Sequence, residues 1–148
     1  MKNRIVIILA VVIALLIAFA ISIPVVNDLT AKGVQNRLLE IPLPNDTQCV
    51  ESVCRAGKFT GNGNGMQYFG AMLIKSELTL EQLNDYYENY REDEWKCLIK
   101  PQTSSEIRVI DHGTLSFKTD VSENQQYYIV YSWGDGLPIF EQLDIRGH

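Results

Sequence analysis

The stretch at residues 61–65, which reads GNGNG, has the residue types of a loop that binds phosphate through backbone amides. The longer nucleotide-binding fingerprints are not completed, because Met66 stands where a dinucleotide motif needs its third glycine and no Gly-Lys-Ser/Thr follows. Both motifs also require a helix directly after the loop, whereas the pattern here predicts a strand. We therefore interpret the stretch as a flexible turn. The alternative is a peptide or glycan contact made by Asn62, Asn64 and backbone amides of the turn.

The two histidines, His112 and His148, are the imidazoles that could ligate a metal or act as a general base. Asp111 precedes the first and Asp144 lies close before the second, so the two pairs could in principle assemble a metal site. Their spacing resembles no known ligand set, and no Cys-x-x-Cys is present. We therefore predict no metal site.

Nucleophilic catalysis needs a thiol or hydroxyl with a positioned base beside it. Cys49 has no such base near it in the sequence. Glu51 and Glu77 are candidate carboxylates only because acids are numerous in this part of the chain. We predict no catalytic residue and no cofactor.

Three cysteines, Cys49, Cys54 and Cys97, allow one disulfide and one free thiol in an oxidising compartment. If Cys49 and Cys54 share a strand, they point to opposite faces and lie about 16 Å apart. A disulfide needs Cα atoms within about 7 Å. The expected pair is therefore Cys54–Cys97. The alternative is three unpaired thiols that pack as small apolar residues.

Tyrosine is unusually abundant, with 7 residues in the chain. Most of them fall on the apolar faces of predicted elements, where the ring is buried and the hydroxyl reaches the edge. Tyr86 and Tyr128 fall outside those faces and are candidates for an exposed contact surface. The alternative is that they too belong to the core or to incidental surface.

Residues 5–23 form an uncharged apolar run that predicts a transmembrane helix. As a helix the run spans roughly 28 Å, close to the hydrocarbon thickness of about 30 Å. Lys2 and Arg4 make residues 1–4 a basic cytoplasmic head, which places the rest of the chain outside. The alternative is secretion after cleavage near Ala20, because Ala18-Phe19-Ala20 fits a signal-peptidase site.

Ala10, Ala14 and Ala18 recur at every fourth residue of this run and share one helix face. Small residues at this spacing allow two membrane helices to approach closely, so self-association is one interpretation. The other is that alanine is simply common in spanning helices.

Residues 24–44 are predicted as a juxtamembrane segment, and residues 45–148 as one extracytoplasmic domain. All 18 acids follow the apolar run, so this part is more acidic than the net charge of −5 for the whole chain. An acidic domain is a poor partner for nucleic acid or anionic headgroups. The expected partners are membrane lipid through the helix and an envelope protein or glycan.

Hydrophobic periodicity predicts one helix and six strands after the anchor, in the order β-β-α-β-β-β-β. Thr79 and Gln82 form a capping box that begins the helix at Leu80. The resulting class is α+β, a two-layer sandwich of one helix on an antiparallel sheet. The predicted strands cover 48–57, 66–75, 95–100, 106–110, 114–119 and 126–133.

The segments GNGNGMQYFGA (61–71) and DIRGH (144–148), with the Tyr-Tyr helix between them, resemble an uncharacterised family of small single-pass bacterial membrane proteins. The resemblance covers most of the chain. It implies an extracytoplasmic α+β domain and supplies no activity to transfer. The three cysteines depart from the pattern of that family.

We therefore expect a membrane-tethered extracytoplasmic domain, non-enzymatic, that binds or supports another envelope component. The alternative is an accessory or catalytic envelope enzyme that uses the Gly/Asn loop and nearby carboxylates. A concave pocket lined by groups with perturbed pKa values would favour the enzyme.

Overall fold

The computed structural model describes residues 2–61, 65–93, 95–122 and 125–148. Its four described strands form one antiparallel sheet in the spatial order β1-β2-β4-β3. This sheet, with the apolar N-terminal helix and two further helices, confirms the α+β class. The elements in chain order are α1 (Lys2–Leu39), β1 (Thr47–Gly57), β2 (Gln67–Ser76), α2 (Leu80–Glu88), β3 (Leu98–Pro101), β4 (Tyr127–Gly134), α3 (Pro138–Leu143) and a 3-10 turn, η1 (Ile145–Gly147).

Helix α1 combines the apolar run and the following segment in one unbroken helix of 38 residues. It is long and apolar enough to span a membrane. Pro24 lies inside the helix without ending it. A proline removes one backbone hydrogen bond, and the helix nevertheless continues because its later turns are held by the domain.

The C-terminal half of α1 packs on the sheet as its main helical cover. The buried positions recur every three or four residues, which is the period of one helix face. The segment predicted as juxtamembrane therefore supplies part of the core. Leu29 lies outside this face and is 64% exposed. The buried residues of this face are Asn27, Ala31, Val34, Gln35 and Leu38.

Gly70, on β2, allows the backbone of α1 to approach the sheet. A Cβ atom at Gly70 would lie 2.7 Å from the backbone nitrogen of Gln35 and 2.9 Å from Cγ1 of Val34. Gly70 pairs in regular register with Cys54 on β1 and Ser132 on β4, so β2 has no bulge at this position. The glycine is therefore explained by helix packing.

The bulge lies on β1, where the register with β2 shifts between Cys49 and Glu51. The extra residue reverses the side-chain alternation. As a result, Cys49 and Cys54 both pack against the cluster under the helices, instead of pointing to opposite faces as predicted.

The predicted Cys54–Cys97 disulfide is not formed, and all three cysteines are free thiols. Cys54 lies on β1 and Cys97 directly precedes β3, and these strands are at opposite edges of the sheet. Three inter-strand spacings separate the edges by about 14 Å, twice the reach of a disulfide.

Helix α2 begins with the predicted capping box. The Thr79 hydroxyl accepts from the backbone nitrogen of Gln82, and the Gln82 side chain accepts from the backbone nitrogen of Thr79. Leu83 and Tyr87 are buried, as the sequence pattern predicts. The helix ends at Glu88 and packs near β3, so it covers the sheet beside α1.

An irregular segment covers the second face of the sheet. The strands predicted at 106–110 and 114–119 reduce to one bridge between Glu106 and Ser116. Both oxygens of the Glu51 carboxylate hold this segment, accepting from the backbone nitrogens of Lys118 and Thr119 at 2.9 Å each. Its apolar side chains, with Phe59, bury the face opposite the helices; they are Ile107, Phe117 and Val121.

Candidate functional site

The C-terminal residues fold back onto α1 just beyond the apolar run. The buried Asp144 carboxylate accepts a hydrogen bond from Asn27 Nδ2 at 2.8 Å and one from Arg146 Nη2 at 2.7 Å. The other end of the Asn27 amide accepts from the Tyr68 hydroxyl at 2.7 Å. We call Asn27, Tyr68, Asp144 and Arg146 the tail clamp, because they join the C-terminus, α1 and β2.

Arg146 extends the clamp along α1. Its Nη1 contacts the Asp28 carboxylate at 2.8 Å, and its Nη2 donates to the backbone oxygen of Pro24 at 3.2 Å. Asp144 is 4% exposed, whereas Asp28 lies at the surface. Asp144 and Arg146 are two positions apart in the sequence, and their ion pair also contacts the distant helix α1.

The charges of the clamp are fixed at neutral pH. Hydrogen bonds from Arg146 hold the pKa of Asp144 well below its usual range; burial opposes this effect, and the Asn27 amide supports it. Burial, with the negative charges of Glu141 and Asp144 nearby, raises the pKa of Tyr68 to about 12. An ionised acid beside a protonated phenol has no proton to exchange at neutral pH, so this arrangement is suited to holding the tail.

Gly147 connects the clamp to the end of the Gly/Asn loop. Its backbone oxygen accepts from the backbone nitrogen of Gly65 at 2.8 Å. A Cβ atom at Gly147 would lie 2.9 Å from the backbone nitrogen of Met66. The candidate binding residues Asn62 and Asn64 lie outside the described residues.

A groove of about 370 Å³ lies between α1 and the end of β4. Both tryptophans of the chain line it. The Arg37 guanidinium lies over the Trp95 ring, 4.2 Å from its centroid, and also forms a 2.9 Å ion pair with Glu92. We call this cleft the tryptophan groove; its lining is Thr30, Gly33, Val34, Arg37, Glu92, Trp95, Trp133, Gly134 and Asp135.

Trp95 and Trp133 lie on opposite faces of the sheet, and Trp133 borders the groove only at the end of β4. The Trp133 ring packs away from the helices, on Phe69 with ring centroids 4.9 Å apart and on Phe59 at 6.1 Å. Gly134 lets Val34 come so close that a side chain there would collide with it. Tryptophan and arginine are the residues that most often dominate binding energy at protein interfaces. The groove therefore has residue types that are typical of a binding site.

A second cleft, of about 380 Å³, lies near the Gly/Asn loop and is lined by basic groups. Arg55, Lys58 and His112 face it, together with Arg146 of the clamp. The His112 ring lies 2.8 Å from the backbone oxygen of Gly61, and the His148 ring lies 3.1 Å from that of Gln142. Among the described residues, no group of three or more His, Cys, Asp or Glu could hold a metal ion.

Tyr86 and Tyr128, the proposed contact residues, are engaged within the domain. Tyr128 is 8% exposed, and its hydroxyl donates to the backbone oxygen of Leu78 at 3.0 Å. Its side chain therefore belongs to the core. Tyr86 is half-buried and donates to the backbone oxygen of Pro42 at 2.8 Å. The structure does not bring the two tyrosines into the tryptophan groove.

The groove and clamp residues carry weak signals in the sequence. Asn27 follows the apolar run at the start of a periodic pattern, where a polar residue usually indicates an exposed position. Arg37 and Trp95 are 58 positions apart, and only the packing of α1 on the sheet brings them into contact.

No family model, curated protein or solved structure matches this chain. The resemblance to an uncharacterised family of membrane-anchored bacterial proteins therefore stays a prediction.

Proposed function

We propose that this chain is a non-enzymatic binding domain of the cell envelope, tethered to the membrane by α1. The domain lies on the extracytoplasmic side and holds a segment of another envelope protein in the tryptophan groove. The observation that carries this proposal is the groove itself, where the Arg37 guanidinium stacks on the Trp95 ring and Gly33 leaves open space on the same helix.

The unbroken helix α1 supports a role in which the distance between the groove and the membrane matters. The groove residues of α1 begin at Thr30 and end at Arg37, which is 7 to 14 residues past the apolar run. At about 1.5 Å per residue they lie roughly 10–20 Å beyond the end of the span. Because the same helix forms the anchor and one groove wall, the domain presents the groove at a set distance.

The charge pattern supports the orientation. Lys2 and Arg4 precede the apolar run, and no acid does. Basic residues favour the cytoplasmic side of a spanning helix. The enzyme alternative depends on the Gly/Asn loop, whose residues 62–64 lie outside the described part of the chain, and it stays a prediction.

A photo-crosslinking amino acid at Gly33 tests the proposal in intact cells. Gly33 lines the groove, and a Cβ atom there meets nothing within 4 Å, so a larger side chain fits. The matched control is the same amino acid at Asn36, an exposed position on the same helix outside the groove lining.

We expect one discrete crosslinked product from position 33 and none from position 36. The product should fall several-fold when Arg37→Ala is added, because that change removes the exposed guanidinium that lines the groove over Trp95. Equal products from both positions, or a product that is unchanged by Arg37→Ala, would show that the groove is not the binding site. Circular dichroism of the purified variant checks that the fold persists.

A further inference from the structure

We propose that α3 and η1 form a second membrane contact, with their apolar side chains inserted into the bilayer interface beside the point where α1 emerges. This inference rests on the proposed anchoring by α1. It adds that the domain lies against the lipid surface, with its C-terminal segment at the level of the headgroups and upper acyl chains.

The point at which α3 contacts α1 indicates how deep α3 lies in the membrane. The Phe140 ring packs on the Phe19 ring, with centroids 6.1 Å apart. Phe19 lies inside the apolar run, four residues before its end at Ile23. Four residues of helix correspond to about 6 Å, so α3 lies just below the level where the apolar run ends.

The cleft between α1 and the tail is continuous with the lipid-facing surface. Its volume is about 380 Å³, and the α1 side is formed by Ala20, Ile23 and Pro24. On the tail side it is lined by Leu143 and Ile145, followed by the clamp residues. An apolar cleft at the end of a spanning helix fits acyl chain or glycerol backbone better than water.

The short segment 137–145 exposes four large apolar side chains. All four point away from the domain, and full burial of such a side chain is worth about 1.5–3 kcal/mol. Short amphipathic segments with this pattern lie in the plane of the interface. The four are Leu137 at 59% exposure, Ile139 at 55%, Leu143 at 49% and Ile145 at 85%.

The tail clamp holds this segment in place and pairs the charges of Asp144 and Arg146. Asp144, between Leu143 and Ile145, is buried against Asn27 and Arg146. Backbone and charged groups that reach the interface unpaired are costly. Here the charges of Asp144 and Arg146 face α1, the Glu141 carboxylate accepts from the backbone nitrogen of Gly136 at 3.2 Å, and the apolar side chains are left free to enter lipid.

Bilayer lipid is favoured over a second protein copy because the exposed side chains lie beside the final turns of the apolar run. Any partner at that level would itself have to be embedded. No separate partner is needed, since the bilayer already surrounds α1 there.

Tryptophan fluorescence in nanodiscs with brominated phospholipid tests the contact. Bromine on the acyl chain quenches a tryptophan that touches lipid. Three single variants of the full chain are compared with the unsubstituted chain, whose Trp95 and Trp133 supply the background: Ile145→Trp in the tail, Leu16→Trp in the apolar run and Gln48→Trp on β1. Leu16 and Gln48 are both exposed in the structure.

We expect bromine near the headgroup to quench the added Ile145→Trp emission about twofold or more, and bromine deeper in the chain to quench Leu16→Trp more strongly. Gln48→Trp should be unaffected. If Leu16→Trp is quenched and Ile145→Trp is not, the tail contact is wrong and the anchor stands. If Leu16→Trp is not quenched, the anchor itself fails. Emission of Ile145→Trp that shifts to the blue with protein concentration and resists bromine would assign the surface to a second copy and overturn the proposal.

Discussion

Asp144 shows how burial changes the contribution of a common ion pair to stability. An exposed Asp-x-Arg pair contributes about 0–1 kcal/mol. Here the carboxylate is buried and also receives the Asn27 amide, while Arg146 reaches Asp28 and the Pro24 backbone oxygen. Removing the charge from Asp144 therefore leaves Arg146 and Asn27 with unsatisfied donors, which is the larger part of the penalty.

Asp144→Asn should lower the free energy of unfolding by about 2 kcal/mol at pH 7, a value reduced from that of a fully buried pair because Arg146 is partly solvated. The folded pKa of Asp144 lies below the unfolded one, so its contribution is present above about pH 4 and is lost as the pH falls through the folded pKa. The difference in free energy of unfolding between wild type and Asp144→Asn should therefore become smaller as the pH is lowered. Thermal unfolding of the full chain in nanodiscs across this pH range measures it.

Asp85→Asn, at an exposed position on α2, is the matched control and should change stability by less than about 0.5 kcal/mol. A gap for Asp144→Asn that stays constant down to about pH 2, or a control that behaves in the same way, would contradict the role of the clamp.

Cys97 should be the least reactive of the three thiols. It is fully buried, and burial raises its pKa to about 12, so almost no thiolate exists at pH 8. Cys49 and Cys54 are half-buried on β1 and should react with a maleimide in the folded chain. After denaturation, three thiols should be counted with or without reductant. Two thiols that appear only after reduction would restore a disulfide.

At the level of elements, the sequence predicted correctly those helices and strands that are determined by contacts between residues close in sequence. The capping box of Thr79 and Gln82 locates α2, and alternation locates β1, β2 and β4 within one or two residues. The buried face of the second half of α1 was harder to predict, because it includes the polar residues Asn27 and Gln35. These two are buried through partners far away in the sequence: Tyr68 and Asp144 for Asn27, and Ser52 for Gln35.

The disulfide was predicted wrongly and the tryptophan groove was not predicted, for a related reason. The spatial order β1-β2-β4-β3 places β1 and β3 at opposite edges. Alternation along a strand gives the face of each side chain and says nothing about which strands are neighbours. The bulge beside Cys49 then changed even the face, because one extra residue reverses the alternation.

Two glycines provide an opposed test of how α1 packs. Gly70→Ala should lower stability by about 2 kcal/mol or more, because its Cβ would press on the α1 backbone at Gln35. Gly33→Ala should raise stability by about 1 kcal/mol, because its Cβ meets nothing and alanine is the better helix former. Chemical denaturation of the full chain measures both. Equal effects of the same sign would show that α1 does not approach the sheet at Gly70.

For the whole molecule, α1 couples three features that would otherwise be independent. It carries the apolar run, forms one wall of the tryptophan groove and receives the C-terminal tail at Asn27. The anchor, one wall of the groove and the contact for the tail therefore belong to a single helix. Signal cleavage near Ala20 would remove Phe19 and leave Phe140 without its ring contact.

The orientation of the molecule in the membrane should depend on Lys2 and Arg4. Fused after His148, alkaline phosphatase should be active and green fluorescent protein dark, because the first folds outside the cytoplasm and the second inside it. Lys2→Glu with Arg4→Glu removes the basic head and should lower phosphatase activity several-fold, since positive charge retains the N-terminus in the cytoplasm. Exchanging the same two residues for each other, Lys2→Arg with Arg4→Lys, keeps the charge and should change nothing. A bright fluorescent fusion with an inactive phosphatase would place the domain in the cytoplasm and contradict both the proposed partner class and the oxidising surroundings of the thiols.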